Sequence, residues 1–417
     1  MTDLDPSAIE GAGDQLRQGR FRSTARTLAE EGLKRLRQGE LGVMPVIFAL
    51  AVIWTYFQLA ESTHSFLTPR NISNLALQIA VTGTVAIGLV LVLLLGEIDL
   101  SVGSIAGLCS ATLGVLIVNH DWPWWAAIVV IVAVGAAVGA FQGAWFAVVG
   151  VPAFVVTLAG FLGWQGVQLR VLGSTGTVNV FEPHISAIAG SYLPPYWGWI
   201  LAIVGSGLYA TAKVVEQVRR RRAGLPGQPL AMVAARTGAI AAVALGAVWL
   251  LNDAPTGGVP TAIVILLGLV IFFAGILRWT RFGRYVYAVG GNAEAARRAG
   301  VNVKGVRIAV FALSGTMAAI GGLIFVSRLG AASTQTGGGT FLLEAIAAAV
   351  IGGTSLFGGR GTIWSALLGA LVIGSVSNGL DLQGQPAEVK LMVEGAILLL
   401  AVTVDAVARR GRAAAGR

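Results

Sequence analysis

Chemistry-bearing residue types are scarce in this chain. It has one cysteine, Cys109, in 417 residues. A lone cysteine allows neither an internal disulfide nor a Cys-based metal site, and inside an apolar run it serves as a small hydrophobe. The three histidines, His64, His120 and His184, fall near expected loops and share no helix face. A zinc site or a His-dependent intramembrane protease is therefore not expected. None of the four lysines (Lys34, Lys213, Lys304, Lys390) is preceded by Gly and followed by Ser or Thr. A phosphate-cradling P-loop needs that arrangement, so the chain does not hydrolyse ATP through one. No catalytic residue, metal ligand or bound cofactor is expected, and the chain does not read as an enzyme. Charge is scarce too: 12% of residues are charged, against about a quarter in soluble domains.

Apolar length is what the chain does have. Hydrophobic residues make up 55% of it, and the mean hydropathy is +0.77. A spanning helix needs about 20 mainly apolar residues. Runs of that kind lie near 43–60, 75–95, 98–118, 124–149, 152–172, 196–212, 231–251, 260–277, 307–327, 341–357, 362–380 and 388–406. The expectation is an all-α, polytopic membrane protein with about 10–12 transmembrane helices, some broken or half-length. The breaks are expected at Gly96-Glu97-Ile98-Asp99-Leu100-Ser101-Val102-Gly103 and at the glycine-rich stretch 351–361, so 98–118 and 341–361 are candidate half-helices. The 57 glycines suit this class, since small residues let helices approach closely in lipid. Gly135, Gly139 and Gly143 form one such seam on 124–149.

The net charge of +9 does not point to nucleic acid, because the basic residues are confined to a few connecting segments. Lys and Arg number seven in 1–41, five in 213–222, seven in 278–307 and four in 409–417. That clustering follows the positive-inside rule. Twelve crossings that begin inside also end inside, which puts all four segments and both termini in the cytoplasm. The organisation expected is a polar tail over 1–41, with an amphipathic helix around Leu28–Leu36, a membrane domain over 42–407 and a basic tail over 408–417. Within the membrane domain, 213–260 reads as an insertion with a basic loop over 213–229 and one extra span. The 173–195 connection is expected outside. The first apolar run begins too far into the chain for a cleaved signal.

Three constellations carry functional content. In 278–307, Glu294 lies early in a short helix, where it suits the helix dipole, and Gly300 lies where a helix would stop. A charged, rigid helix outside the membrane suits transmission of motion between subunits; an ordinary basic loop is the plainer alternative. Glu97 and Asp99 stand near membrane depth, where carboxylates are costly and usually functional or paired. Asp99 equally suits a helix cap ahead of Ser101. Polar and aromatic residues inside spans, among them Gln142, Trp164, Gln165, Glu344 and Asn378, suit a sugar path of hydrogen-bonding groups and flat rings. A tryptophan near a helix end serves equally as an interface anchor.

Gly96-Glu97-Ile98-Asp99-Leu100-Ser101-Val102-Gly103-Ser104 resembles the signature of monosaccharide permeases of ATP-binding-cassette (ABC) transporters, the ribose/xylose/galactose type. The stretches 280–292, 344–362 and Ser377-Asn378-Gly379-Leu380 resemble three further blocks of that family, in order. Glu294-Ala295-Ala296 followed by Gly300 has the spacing of the EAA motif of ABC importer permeases, without the Ile-x-Leu-Pro continuation seen in other importer families. The length at 213–260 and the polar N-terminal tail make the chain more similar to xylose permeases than to the shorter ribose ones. The resemblance implies an ABC importer permease fold in the bacterial inner membrane. It implies a second copy of the chain, an ATPase subunit that holds ATP and magnesium, and an extracytoplasmic sugar-binding protein, all set in lipid. It implies ATPase coupling through Arg284, Asn292, Glu294, Ala295, Ala296, Arg297 and Gly300. A translocation path past Glu97, Asp99, Ser101, Gln142, Trp164, Gln165, Glu344 and Asn378 is the accompanying expectation. An ion-coupled carrier using Glu97, Asp99 or Glu344, and a non-transporting scaffold, are the alternatives.

Overall fold

Each apolar run becomes a helix because every backbone N–H must find an internal partner once water is gone. The computed structural model describes residues 44–225 and 230–414. The polar tail 1–41, with its expected amphipathic helix, lies outside the described residues, as do 226–229 and 415–417. Val46–Val402 packs as one unit. Met44–Pro45 and 403–414 belong to a separate grouping made of the chain ends.

The elements in order are α1 (Met44–Ala60), α2 (Pro69–Leu94), α3 (Val102–Val118), α4 (Trp124–Ala144), α5 (Ala153–Leu172), β1 (Thr177–Asn179), α6 (Pro183–Gly190) and β2 (Tyr192–Leu193). Then follow α7 (Pro195–Arg222), α8 (Leu230–Asn252), β3 (Val259–Pro260), α9 (Thr261–Trp279), α10 (Arg281–Gly291) and α11 (Ala293–Arg298). The last are α12 (Val303–Leu329), β4 (Ala331–Ser333), α13 (Gly339–Ile351), α14 (Trp364–Leu382) and α15 (Ala387–Ala414). Among the described residues eight helices are long and apolar enough to cross a membrane, and α1, α3 and α13 are shorter apolar helices. The protein is an all-α, polytopic membrane protein.

Burial sorts these helices. The most apolar stretch of α2 is 83% buried, and that of α12 is 61% buried. For α7 and α8 the figure is 11%, so they present their apolar sides outward, as lipid-facing helices do. In lipid the hydrophobic effect does not draw helices together; close packing does. The glycine seam on α4 does this against α12. A Cβ on Gly139 would lie 2.1 Å from the Phe311 carbonyl oxygen, and one on Gly135 would lie 2.4 Å from that of Gly315.

Two expected boundaries move. The basic segment 213–222 is not loop: α7 continues through Arg222. Glu216 pairs with Lys213 at 2.9 Å and with Arg220 at 3.5 Å, at the one-turn spacings that support an exposed helix. The 341–357 run shortens to α13, because Gly352-Gly353 ends it and Gly353 takes φ +105°. Before α13, residues 334–338 run as non-helical backbone beside α3, where a Cβ on Gly103 would lie 2.6 Å from the Gly337 carbonyl oxygen. Such backbone survives in a membrane protein only when its polar groups are satisfied internally. Gln168 of α5, itself buried, donates to the Ser333 and Thr336 carbonyls at 2.9 and 3.1 Å.

The 173–195 connection is structured. β1 pairs antiparallel with β4, with Val178 opposite Ala332, and β2 pairs antiparallel with β3. Glu182 caps α6 by accepting from the Ile185 N–H at 2.8 Å, and Pro183 occupies the first turn. α12 runs from α11 to β4, so these strands and the short arginine-bearing helices lie at opposite ends of it.

Candidate coupling face and central cavity

The α10–α11 segment is built from three side-chain caps. Thr280, Asn292 and Asn302 each accept an N–H three residues on, from Gly283, Ala295 and Gly305. These N-caps restart the helix at each point, so the chain turns through two short helices before α12 begins. α11 closes with Gly300 at φ +83°. The Val301 N–H bonds the Ala296 carbonyl and the Gly300 N–H bonds that of Arg297, both at 3.0 Å, the paired bonds of a Schellman ending. Ala296 is buried beneath this turn, whereas Arg284, Asn292, Glu294, Ala295, Arg297 and Gly300 are exposed. Glu294 pairs with Arg297 at 3.2 Å and with Arg298 at 3.3 Å. Beside α10 lies a recess of about 180 Å³ lined by Phe282, Tyr285, Val306 and Ala309.

This face is tied to the interior at a glycine knot. A Cβ on Gly290 would lie 1.7 Å from the Leu94 carbonyl oxygen, at the end of α2. That same oxygen accepts from the Gly359 N–H at 2.9 Å. The Tyr287 hydroxyl donates to the Gly361 carbonyl at 2.9 Å, and burial pushes this phenol up, which keeps it protonated as a donor. Three blocks far apart in sequence, 94–97, 287–291 and 357–361, thus meet at one point. Arg307 at the start of α12 pairs with Glu97 at 3.3 Å and lies over the Phe146 ring at 4.4 Å.

Asp99 and Ser101 sit next to the knot, facing inward. Asp99 is 1% exposed and accepts from the Ser101 N–H at 2.9 Å, the Ser101 hydroxyl at 2.6 Å and the Ser314 hydroxyl at 3.0 Å. Asp99 thus closes a turn just ahead of α3, whose N-cap is Ser101, and at the same time ties that turn to α12. Gln142 lies 2.8 Å from the Ser101 hydroxyl through Oε1, and its Nε2 has no partner. One hydroxyl proton cannot serve both Asp99 and Gln142. Turning the Gln142 amide over makes Nε2 the donor to Ser101, which frees the Ser101 proton for Asp99 and puts Oε1 in the position without a partner.

A larger cavity than the recess beside α10 lies elsewhere. A space of about 380 Å³ lies between α2, α12, the start of α13 and α14. Gln78, Thr82, Arg328, Glu344, Ser377 and Asp381 line its polar side. Of the expected path residues only Glu344 lines it. Trp164 and Gln165 are half-buried on α5, with Trp164 edge-on to Phe141 at 6.4 Å. Asn378 is buried and accepts from Asn71 at 2.8 Å, which ties α14 to α2 beside the cavity. Arg328 and Asp381 escaped the sequence reading although each stands in the last turn of an apolar helix, and that position was the available signal. Among the described residues no group of three His, Cys, Asp or Glu side chains is placed to hold a metal ion.

A family described as the permease component of branched-chain amino acid transport systems matches residues 71–402. The chain belongs to this permease family. Its match covers the knot, both short helices and the cavity. The permease is 40% identical to the xylose transport system permease protein XylH of Escherichia coli strain K12 over 379 residues, 91% of this chain and 95% of that one. It is 38% identical to XylH of Haemophilus influenzae over 89% of this chain and 98% of the relative. It is 34% identical to the ribose import permease protein RbsC of Escherichia coli strain K12 over 82% of this chain and 87% of the relative. No solved structure matches the permease significantly.

Proposed function

We propose that this chain is the membrane subunit of an ATP-driven importer of a monosaccharide, with xylose the first sugar to test. The observation that carries the reading is the glycine knot. It joins the exposed α10–α11 face to the end of α2 and to the connection between α13 and α14, and α2, α13 and α14 all line the cavity. A push on α10 therefore reaches the cavity walls through backbone contacts too close to slip. The names of the xylose and ribose relatives support the sugar, and if ATP drives the transport, the missing P-loop places its site on another subunit.

In this reading an ATPase subunit docks on α10–α11 through Arg284, Asn292, Glu294, Ala295, Arg297 and Gly300, over the buried Ala296. The apolar recess beside Tyr285 seats one of its side chains. A second copy of the permease completes the passage, and a sugar-binding protein delivers cargo at the end that carries β1–β4. The chain lies in the inner membrane with both termini on the ATPase side. Selectivity rests mostly with the binding protein, while the permease supplies the passage.

The test is uptake of labelled D-xylose by proteoliposomes holding the permease with its co-purifying ATPase and binding protein. Uptake that needs ATP and both partners is the expected result. Uptake driven by a proton gradient with the permease alone would overturn it in favour of an ion-coupled carrier. Equal flux with and without the permease would point to a scaffold.

A further inference from the structure

We propose that the cavity between α2, α12, α13 and α14 is itself a monosaccharide-binding site of the permease. In it Glu344, Asp381 and Arg328 hold the sugar hydroxyls, and Phe325 and Phe341 bear on its C–H face. This rests on the reading of the chain as a sugar permease and adds a defined halting point to the passage.

The argument begins from size and depth. About 380 Å³ lies within the range of roughly 300–1,000 Å³ typical of small-molecule sites, at the small end. Thr82 stands midway along α2 and Arg328 in the last turn of α12. The cavity therefore runs from mid-span toward the end opposite the arginine-bearing helices. α13 is a half-length helix that begins at its wall, and broken helices of that kind recur at transporter binding sites.

The lining then selects the ligand class. A sugar hydroxyl both donates and accepts, so its site needs fixed acceptors and fixed donors facing each other. Glu344 and Asp381 provide carboxylate acceptors, and Arg328 and Gln78 provide N–H donors. Arg328 has no carboxylate within 4 Å among the described residues, and the Gln78 amide has no hydrogen-bond partner among them. Asp381 and Glu344 attract Arg328 at longer range, and both Arg328 and Gln78 keep N–H donors for a ligand. Glu344 is steadied by the Thr82 hydroxyl, Glu394 by that of Ser377, and Asp381 by Lys390. Phe325 and Phe341 pack edge to face at 5.9 Å and both line the cavity. Fixed polar groups facing flat rings suit a pyranose.

Other classes fit less well. Three carboxylates face two cations here, and one of those cations, Lys390, is already committed to Asp381. An anionic ligand is repelled. A branched-chain amino acid would pair its carboxylate with Arg328 and its ammonium with Glu344, but its aliphatic side chain would leave Gln78, Ser377 and Asp381 without the hydroxyl partners a sugar brings.

The test uses the full-length chain in lipid nanodiscs and, separately, in the complete transporter. Ser377→Cys places a thiol at the cavity wall; the only native thiol, Cys109, is fully buried. D-xylose is expected to slow alkylation of that thiol at least fivefold, and L-leucine to leave it unchanged. Protection by leucine and not by xylose, or by neither, would overturn the proposal. In the complete transporter, Glu344→Gln and Arg328→Gln are expected to raise the half-saturating xylose concentration at least tenfold with the ATPase still bound at wild-type stoichiometry. Wild-type uptake constants in both variants would overturn the site while leaving the sugar-permease reading intact. Absence of any sugar uptake by the wild-type complex would overturn both.

Discussion

Two glycines ten residues apart are required for different physical reasons, and substitution separates them. Gly300 has nothing within 4 Å of a built Cβ, but its φ is +83°. A β-branched side chain there costs on the order of 1–2 kcal/mol of backbone strain, while asparagine visits this conformation readily. Gly300→Val is therefore expected to release the ATPase on co-purification and Gly300→Asn to retain it. Gly290 has the opposite problem, a carbonyl oxygen 1.7 Å from the Cβ it lacks. Gly290→Ala must move α10 away from the end of α2. Overpacking of this kind costs roughly 1–3 kcal/mol. The expected outcome is ATP hydrolysis by an assembled complex with sugar uptake reduced at least tenfold, read by measuring the two rates together.

Among the elements, α4 and α12 depend on approach distance, and α6 depends on charge. Gly139→Val would drive a side chain into the Phe311 backbone across the seam. It is expected to abolish monodisperse protein on size-exclusion chromatography, whereas Gly163→Val on α5, with open space around it, leaves the profile unchanged. At α6, desolvation pushes the Glu182 carboxyl up, but hydrogen bonds from His184 and the Ile185 N–H outweigh it and hold the group below the ordinary carboxylate range. A depressed folded-state pKa means the charged form caps the helix. The cap is fully present above the ordinary carboxylate pKa and is lost as pH falls through the lowered value. Protection of the Ile185 amide in hydrogen exchange, corrected for the intrinsic rate, should therefore hold from neutral pH down to the ordinary carboxylate range and fall only below it.

For the whole molecule, the basic end of α7 and the α10–α11 face share one side. Glu216 near the end of α7 senses Arg278 at the end of α9, so the two ends are neighbours. Topology reporters placed at 226 and at 300 should give the same sidedness, and one placed at 181 the opposite; agreement of all three would contradict the orientation proposed. Much of this layout was legible from apolar run length alone, because a helix is the only open-ended way for a single segment to satisfy its backbone in lipid. The Gly300 stop was legible for a similar reason, whereas the caps at Thr280, Asn292 and Asn302 were not singled out although each acts within three residues. Glu97 was marked as costly from its position alone, and Arg307, its partner 210 residues away, was not.

Local chemistry therefore determined the class of protein, the run of helices, the short charged helix with its glycine ending, and the family blocks in order. The tertiary structure alone decided that those blocks converge at Gly290, Leu94 and Gly359, that Asn378 faces Asn71 beside the cavity, and that Arg328, Glu344 and Asp381 share one space. The reason is physical. Run length, capping and helix stops are set by neighbours within a turn or two, whereas a cavity is the space left between helices and no single segment encodes it.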